Sequence, residues 1–362
     1  MTHLPPRALP FASLAALALA AAPVALAVPA DATMGLPPTI ASGTPVVKLA
    51  TLPTESYTVS GKPFTEGTTC APNGDVYFVE QNSNKIMHWS VADHTLSVFM
   101  HPAGYANGMQ FDAHGNLIAC ADERNELWSI SLTATETVPW PQPLNPAVGE
   151  KPHPGTLTLP AHTVIMDGRY HGRLLGGPND VWIRPDGGIY FTDPFYRRAW
   201  WTPGRQQEQE LKTVYYLSPD HRTLTRVLDE FKSTTGVPGT PNGIIGTPDG
   251  RTLYVADIDG DETWAYDVQP DGALTNRRLV CPHGSDGMTL DAEGNLYLSA
   301  RAPAPGVTVV NAASGRQIGF IPVPEQPANL CFAGPDHRTL YLTARTGFYS
   351  IRTNVRGASA VK

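Results

Sequence analysis

Charged side chains are scarce in this chain. Asp, Glu, Lys and Arg make up 16% of its 362 residues, and 33 acidic residues outnumber 26 basic ones, for a formal net charge of -7. That balance excludes nucleic acids and anionic membrane surfaces as partners. Cysteine is sparse as well. Cys70, Cys120, Cys281 and Cys331 stand far apart, which rules out a disulfide-dense scaffold and leaves free thiols and a single disulfide both open. Cys-x-x-Cys, His-Glu-x-x-His and Gly-x-Ser-x-Gly are all missing, so metalloprotease and nucleophile-elbow chemistry are set aside. The eleven histidines form no spaced cluster, and only His283 falls near a candidate site residue.

A comfortable membrane span is missing too. The apolar run from Phe11 to Ala22 is short and alanine-rich, below the roughly 20 residues a spanning helix needs. Arg7 ahead of it and Ala25-Leu26-Ala27 behind it give the layout of a secretory signal over residues 1–27, with a retained anchor as the alternative. The chain is therefore expected to be exported, periplasmic or secreted, with no membrane association after cleavage. Residues 28–44 are rich in Pro, Ala, Gly and Thr and read as a flexible lead-in. The folded domain is expected over residues 45–355.

What is abundant is turn chemistry: 33 Gly and 35 Pro, with no long amphipathic helical pattern. Six times the chain repeats one frame, an oxygen-bearing residue eight positions before a turn, then a short β-branched and aromatic run. The turns centre on Gly74, Gly115, Gly187, Gly250, Gly294 and His337, spaced 41, 72, 63, 44 and 43 residues apart. The runs that follow include Val76-Tyr77-Phe78-Val79, Ile189-Tyr190-Phe191-Thr192 and Leu340-Tyr341-Leu342-Thr343. A period a little over 40 built from strands and turns predicts an all-β, six-bladed β-propeller with two insertions, Pro139 to Pro160 and Pro194 to Gln209. The sixth repeat has room for only three strands. Val46 to Ala50 is a strand without a blade, so an amino-terminal strand is expected to close the ring and cover its edge.

The oxygen-bearing positions are Glu66, Asn107, Asn179, Asn242, Asp286 and Asn329. The first strand of every propeller blade lines the central channel, so one repeat position projects onto one ring. Two members are anionic, four are amides and none is cationic. Such a ring suits a hard divalent cation, Ca²⁺ in particular, which takes roughly six to eight oxygen ligands in forgiving geometry. Mg²⁺ and Mn²⁺ are weaker candidates, and the absence of His and Cys argues against Zn²⁺. Asn or Asp before Gly is also ordinary turn chemistry. Six in register, one of them Glu, favour the ring. Asp257-Ile258-Asp259-Gly260-Asp261 has its glycine misplaced for an EF-hand loop and reads as a solvated turn.

At these residues the chain resembles the gluconolactonase, regucalcin (senescence marker protein) and luciferin-regenerating enzyme family of six-bladed calcium propellers. The resemblance rests on Phe64-Thr65-Glu66-Gly67, Gly177-Pro178-Asn179-Asp180-Val181, Thr240-Pro241-Asn242-Gly243, Gly284-Ser285-Asp286-Gly287-Met288 and Gly334-Pro335-Asp336, and it runs in order over residues 62–352. It implies Glu66, Asn179, Asn242 and Asp286 as metal ligands and Asp286 as the catalytic carboxylate. Asn107, Asn179 and Asn329 would then line the substrate pocket. Animal members carry an Arg that contacts substrate where this chain has Gly177, which leaves Arg197 or Arg198 of the aromatic second insertion for that role, with Trp201 as apolar surface.

Two readings of different classes follow. The first is a calcium-dependent hydrolase of a small lactone or ester, by metal-assisted water attack with Asp286 as base. The second is a non-catalytic propeller that binds a partner on its face, with calcium as a structural plug. Phosphotriester hydrolysis is the nearest rival reaction on the same site.

Overall fold

Six antiparallel sheets of four strands follow one another in the computed structural model, which describes residues 34–55, 58–150, 154–300 and 304–358. The leader expected over residues 1–27 lies outside the described residues. Blade one comprises Thr65–Cys70, Val76–Glu80, Lys85–Ser90 and Thr95–Met100. Blade two comprises Ala106–Phe111, Leu117–Ala121, Glu126–Pro139 and Thr156–Met166. Blade three comprises Val181–Ile183, Ile189–Asp193, Thr213–Leu217 and Leu224–Arg226, and blade four Pro241–Gly246, Thr252–Asp257, Glu262–Val268 and Leu274–Cys281. Blade five comprises Met288–Leu290, Asn295–Ala300, Gly306–Asn311 and Arg316–Pro322. Blade six takes Pro327–Ala333, Thr339–Ala344 and Gly347–Arg352 from its own repeat and Val47–Thr51 from the amino-terminal side. Each first strand touches the first strands of both neighbouring blades, blade six against blade one included, so the ring is closed. Among the described residues no helix is long and apolar enough to cross a membrane.

The second strands read as nearly unbroken apolar runs because each is packed on both faces. Leu117 and Ala119 face blade one, where Tyr77 and Val79 meet them. Ile118 and Cys120, the alternate residues, face Val181 and Phe191 of blade three. The same sandwich recurs between each pair of blades round to blades six and one, where Phe78 and Phe348 stack at 4.5 Å. Fourth strands lie outermost and are largely exposed, as in Leu274–Cys281. The turns bear out the repeat frame: Gly74, Gly115, Gly187, Gly250 and Gly294 have φ between +72° and +91°. His337 fills the sixth such position at φ +53°, one of the few side chains that tolerate it. All four cysteines are free thiols.

Two segments differ from expectation. The first insertion is sheet at both ends: Thr135 to Pro139 pairs with Thr156 to Pro160, lengthening the outer hairpin of blade two. Both prolines sit where an outer strand needs no further donor. The lead-in expected to be flexible is packed from Gly35 to Ile40. Phe320 donates its backbone N–H to the Gly35 carbonyl at 3.0 Å, the hydroxyls of Thr39 and Tyr297 are 2.7 Å apart, and Ile40 is buried among blades five and six.

Glu325 clasps the closing strand. Its carboxylate accepts from Lys48 Nζ at 3.0 Å, Tyr349 Oη at 2.5 Å, and Thr346 N and Oγ1 at 3.0 and 2.8 Å. Burial alone would raise this carboxyl, but the hydrogen bonds outweigh it and hold it at about 2, below the ordinary 4.5. A depressed carboxylate stabilises the fold fully above its unfolded value and loses that contribution as pH falls toward its folded one. Glu325→Gln should therefore lower the unfolding free energy by about 1–2 kcal/mol at neutral pH, since the side chain is 22% exposed and solvent screens part of the interaction. The gap from wild type should shrink as pH drops from 4.5 toward 2. Urea melts across that window check it; a constant gap would contradict it.

Candidate metal and active site

The first strands are irregular where the ring residues sit. In blades one, two, four and six the pairing slips at Glu66–Thr69, Ala106–Met109, Pro241–Ile244 and Pro327–Asn329. Bulges of this kind re-aim a side chain out of the ladder. In blades three and five the strand begins only after Asn179 and Asp286. The residue after the ring position explains the Gly signal. A Cβ on Gly67 would lie 2.0 Å from the Asn107 carbonyl oxygen, one on Gly243 2.8 Å from that of Asp286, and one on Gly287 2.4 Å from Asn329 Cγ. At these three positions only glycine leaves room for the neighbouring ring residue. Backbone bonds join them as well, Gly108 N donating to Asn179 O at 2.6 Å and Gly287 N to Ala328 O at 2.7 Å.

Buried hydroxyls at one position of the second strands hold the ring from behind. Thr192 Oγ1 donates to Asn242 O at 2.8 Å, and Thr343 Oγ1 to Asn329 O at 3.2 Å. Ser299 Oγ accepts from Asp286 N and Gly287 N, both at 3.1 Å. These residues were not singled out from the sequence, although their shared register behind the ring was visible there.

Within the ring, Glu66 is buried and Asp286 half-buried. Burial pushes the Glu66 carboxyl well above its usual range, and the charges of Asp286 and then Asp180 push it further. Glu66 Oε2 accepts from Gly67 N at 2.6 Å, and the Asn329 side chain also bonds to it. Asp180 stands where blades one, two, four and five have glycine. It is buried and accepts from Val181 N at 2.9 Å and Ile244 N at 3.3 Å. Burial raises its carboxyl to about 7 against those bonds, with Asp286 adding to the rise. Asn242 donates through Nδ2 to Asp286 Oδ1 at 2.8 Å and to Tyr196 Oη at 3.0 Å. The Oδ1 atoms of Asn107 and Asn242 are buried with no hydrogen-bond partner.

Among the described residues no three His, Cys, Asp or Glu side chains are grouped to hold a metal; the ring's donors are mainly amides. Repelling carboxylates beside partnerless amide oxygens nonetheless fit a hard cation and nothing softer. Below the ring the channel continues as a cavity of about 610 Å³ lined by Thr68, Met109, Asp180, Met288 and Leu330, reaching His337 and Arg356 at the far face.

The second insertion lies over the opposite mouth. Arg198 Nε pairs with Asp122 Oδ2 at 2.6 Å, and Trp201 Nε1 donates to Asp122 O at 2.6 Å. Trp201 is 3% exposed, covered by Arg205 at 3.6 Å, and it fills the space that a side chain at Gly177 would need. Arg197 is exposed and donates to Gln206 Oε1 at 3.4 Å. Of the insertion residues expected to meet substrate, Trp201 is thus buried against Asp122 and Arg197 is exposed, while Tyr196 of the same run reaches the ring through Asn242. His283 contributes its carbonyl, accepting from Thr263 Oγ1 at 2.7 Å. Asp257, expected in a solvated turn, is buried and accepts from Thr240 N and Gly260 N, both at 2.9 Å.

The sequence profile of the SMP-30/Gluconolactonase/LRE-like region matches residues 64–346. A gluconolactonase of Zymomonas mobilis is 26% identical over 311 residues, 81% of this chain and 80% of that protein. Among solved structures, an X-ray structure of a gluconolactonase candidate is 30% identical over 90% of this chain and 99% of its own, with a TM-score of 0.70. Regucalcin of Agrobacterium tumefaciens, described as a calcium-binding protein, shares the fold at 17% identity and a TM-score of 0.61, covering 87% of this chain and 95% of its own.

Proposed function

The chain belongs to the SMP-30/gluconolactonase/LRE-like family, and on that premise we propose that it opens a lactone ring by water attack, with a divalent cation, calcium first, held by Glu66, Asn179, Asn242 and Asp286. Lactone hydrolysis is the activity at the level of the family, and the gluconolactonase name carried by its relatives makes sugar lactones the substrates to try first. The observation that carries the metal assignment is the ring itself: Glu66 raised by burial and by Asp286, beside amide oxygens without partners. When bound, such an ion would offset the two carboxylates and polarise the lactone carbonyl.

The remaining chemistry falls to the chain's own side chains. On this reading Asp286, which is half-buried and accepts from Asn242, takes a proton from the water that adds to the carbonyl carbon. The tetrahedral oxyanion then collapses, the ring C–O bond breaks, and the departing alkoxide takes that proton back to give the open hydroxy acid. Glu66, deeper in the channel, balances charge and does not exchange protons with substrate. Asn107, with a partnerless oxygen, is the ring member assigned to substrate or its water. Asn329 is assigned chiefly to orienting Glu66.

A pH-stat panel of five- and six-membered lactones, run beside a phosphotriester and with and without chelator, tests this. At least one lactone should turn over at about 1–10³ s⁻¹, and only with the cation present. Inertness toward every lactone would overturn it and favour the plugged propeller.

A further inference from the structure

We propose that Tyr196 contacts the substrate, its hydroxyl donating a hydrogen bond to a ligand oxygen bound over the ring, and that the buried Asp122–Arg198 pair positions it. The inference rests on the lactonase reading above and adds a residue to it.

Asn242 Nδ2 lies 2.8 Å from Asp286 Oδ1; the amide oxygen in that place would face a carboxylate oxygen, so the amide orientation is set. The second Nδ2 hydrogen goes to Tyr196 Oη at 3.0 Å. An amide nitrogen only donates, so the phenol accepts there and its own hydrogen must point elsewhere. Among the described residues no acceptor receives it. The hydroxyl therefore presents a donor at the mouth of the ring, beside Asp286 and the partnerless Asn242 Oδ1.

The surroundings fix that donor in place. Phe195, directly before Tyr196, holds φ +55°, a conformation that a bulky residue adopts at a cost and that recurs at functional sites. The Arg198 guanidinium lies 5.3 Å from the Tyr196 ring and 5.4 Å from that of Trp200, and Trp200 stacks on Tyr105 at 4.4 Å and 7°. Asp122, which anchors Arg198, is fully buried. In blades one, three and four the last residue of the second strand is a carboxylate (Glu80, Asp193 and Asp257) that accepts a backbone N–H of its own blade's loop, from Phe64, Gly176 and Thr240. Blade two has Ala121 at that position, and Asp122, one residue further on, takes Arg198 and so holds the insertion over the channel.

Tyr196→Phe keeps the ring and removes the donor. On the best lactone it should lower kcat/KM by roughly 10–100-fold, mostly in kcat, with calcium affinity by isothermal titration and the melting temperature unchanged. Arg198→Ala should give a smaller loss of the same kind, and Arg198→Lys, which keeps the ion pair, should recover much of it. Binding of the open hydroxy acid, titrated separately, should weaken in Tyr196→Phe. If wild type is idle on lactones but binds the hydroxy acid in a Tyr196-dependent way, the hydrolysis reading falls and this contact stands. Tyr196→Phe matching wild type in both turnover and binding overturns the proposal. So does a loss confined to calcium affinity, and so does a wild type that neither hydrolyses nor binds any member of the series.

Discussion

Asp286→Asn is expected to cut kcat by about 10²–10⁴-fold while calcium still binds. The substitution is nearly isosteric and keeps one oxygen, so the ring loses a charge and its base but little shape. Asn242 Nδ2 now donates to Asp286 Oδ1 at 2.8 Å, and an amide oxygen can accept the same bond. Ser299 Oγ continues to receive the backbone N–H groups of residues 286 and 287, so the loop is held as before. Calcium affinity should fall, because one of two ring carboxylates is gone, yet saturating calcium should leave the rate defect in place. Steady-state lactone hydrolysis at several calcium concentrations separates the two effects. Wild-type turnover by the variant at saturating calcium would remove Asp286 from the role of base.

The second large effect concerns the cation. Stripping it should abolish turnover and lower the melting temperature by roughly 5–10 °C. A ligand present at a thousandfold its Kd stabilises by about 4 kcal/mol, which for a domain of this size corresponds to a shift of that order. The physical reason lies in the ring. Without a cation, burial and the neighbouring Asp286 and Asp180 hold Glu66 well above its usual protonation range, so the folded state carries like charges or takes up protons to avoid them. Calorimetry with and without chelator checks this. Unchanged melting and unchanged hydrolysis after exhaustive chelation would defeat the metal assignment.

The ring and the blades were legible because they repeat. Six oxygen-bearing residues at one distance from six left-handed turns give the same answer six times, and His337 could be placed at a glycine position by register alone. What failed to show was whatever depends on contacts between repeats. Thr192, Ser299 and Thr343 read as ordinary strand residues, although they share a register and each anchors a ring residue. Asp180 occupies a glycine position, and nothing local says that its backbone passes close to Gly108. The prolines at 139 and 160 suggested a loop, but on an outer strand the missing N–H costs little. Pro and Gly likewise made residues 35–40 look loose, while Pro37 packs against Gly319 and Thr39 bonds to Tyr297. The second insertion gave its composition but not its geometry. Trp201 turned inward to Asp122, and Tyr196 reached Asn242.

One cation shared by Glu66 and Asp286 should be required for hydrolysis. Lactone hydrolysis followed while calcium is titrated back into chelated wild type and chelated Glu66→Gln tests that most directly. Wild type should rise from background to its full rate with one equivalent of calcium per chain, and Glu66→Gln should need far more calcium to regain part of that rate. A metal-free wild type that opens lactones at full speed, or a Glu66→Gln curve that overlays the wild-type curve, would contradict it.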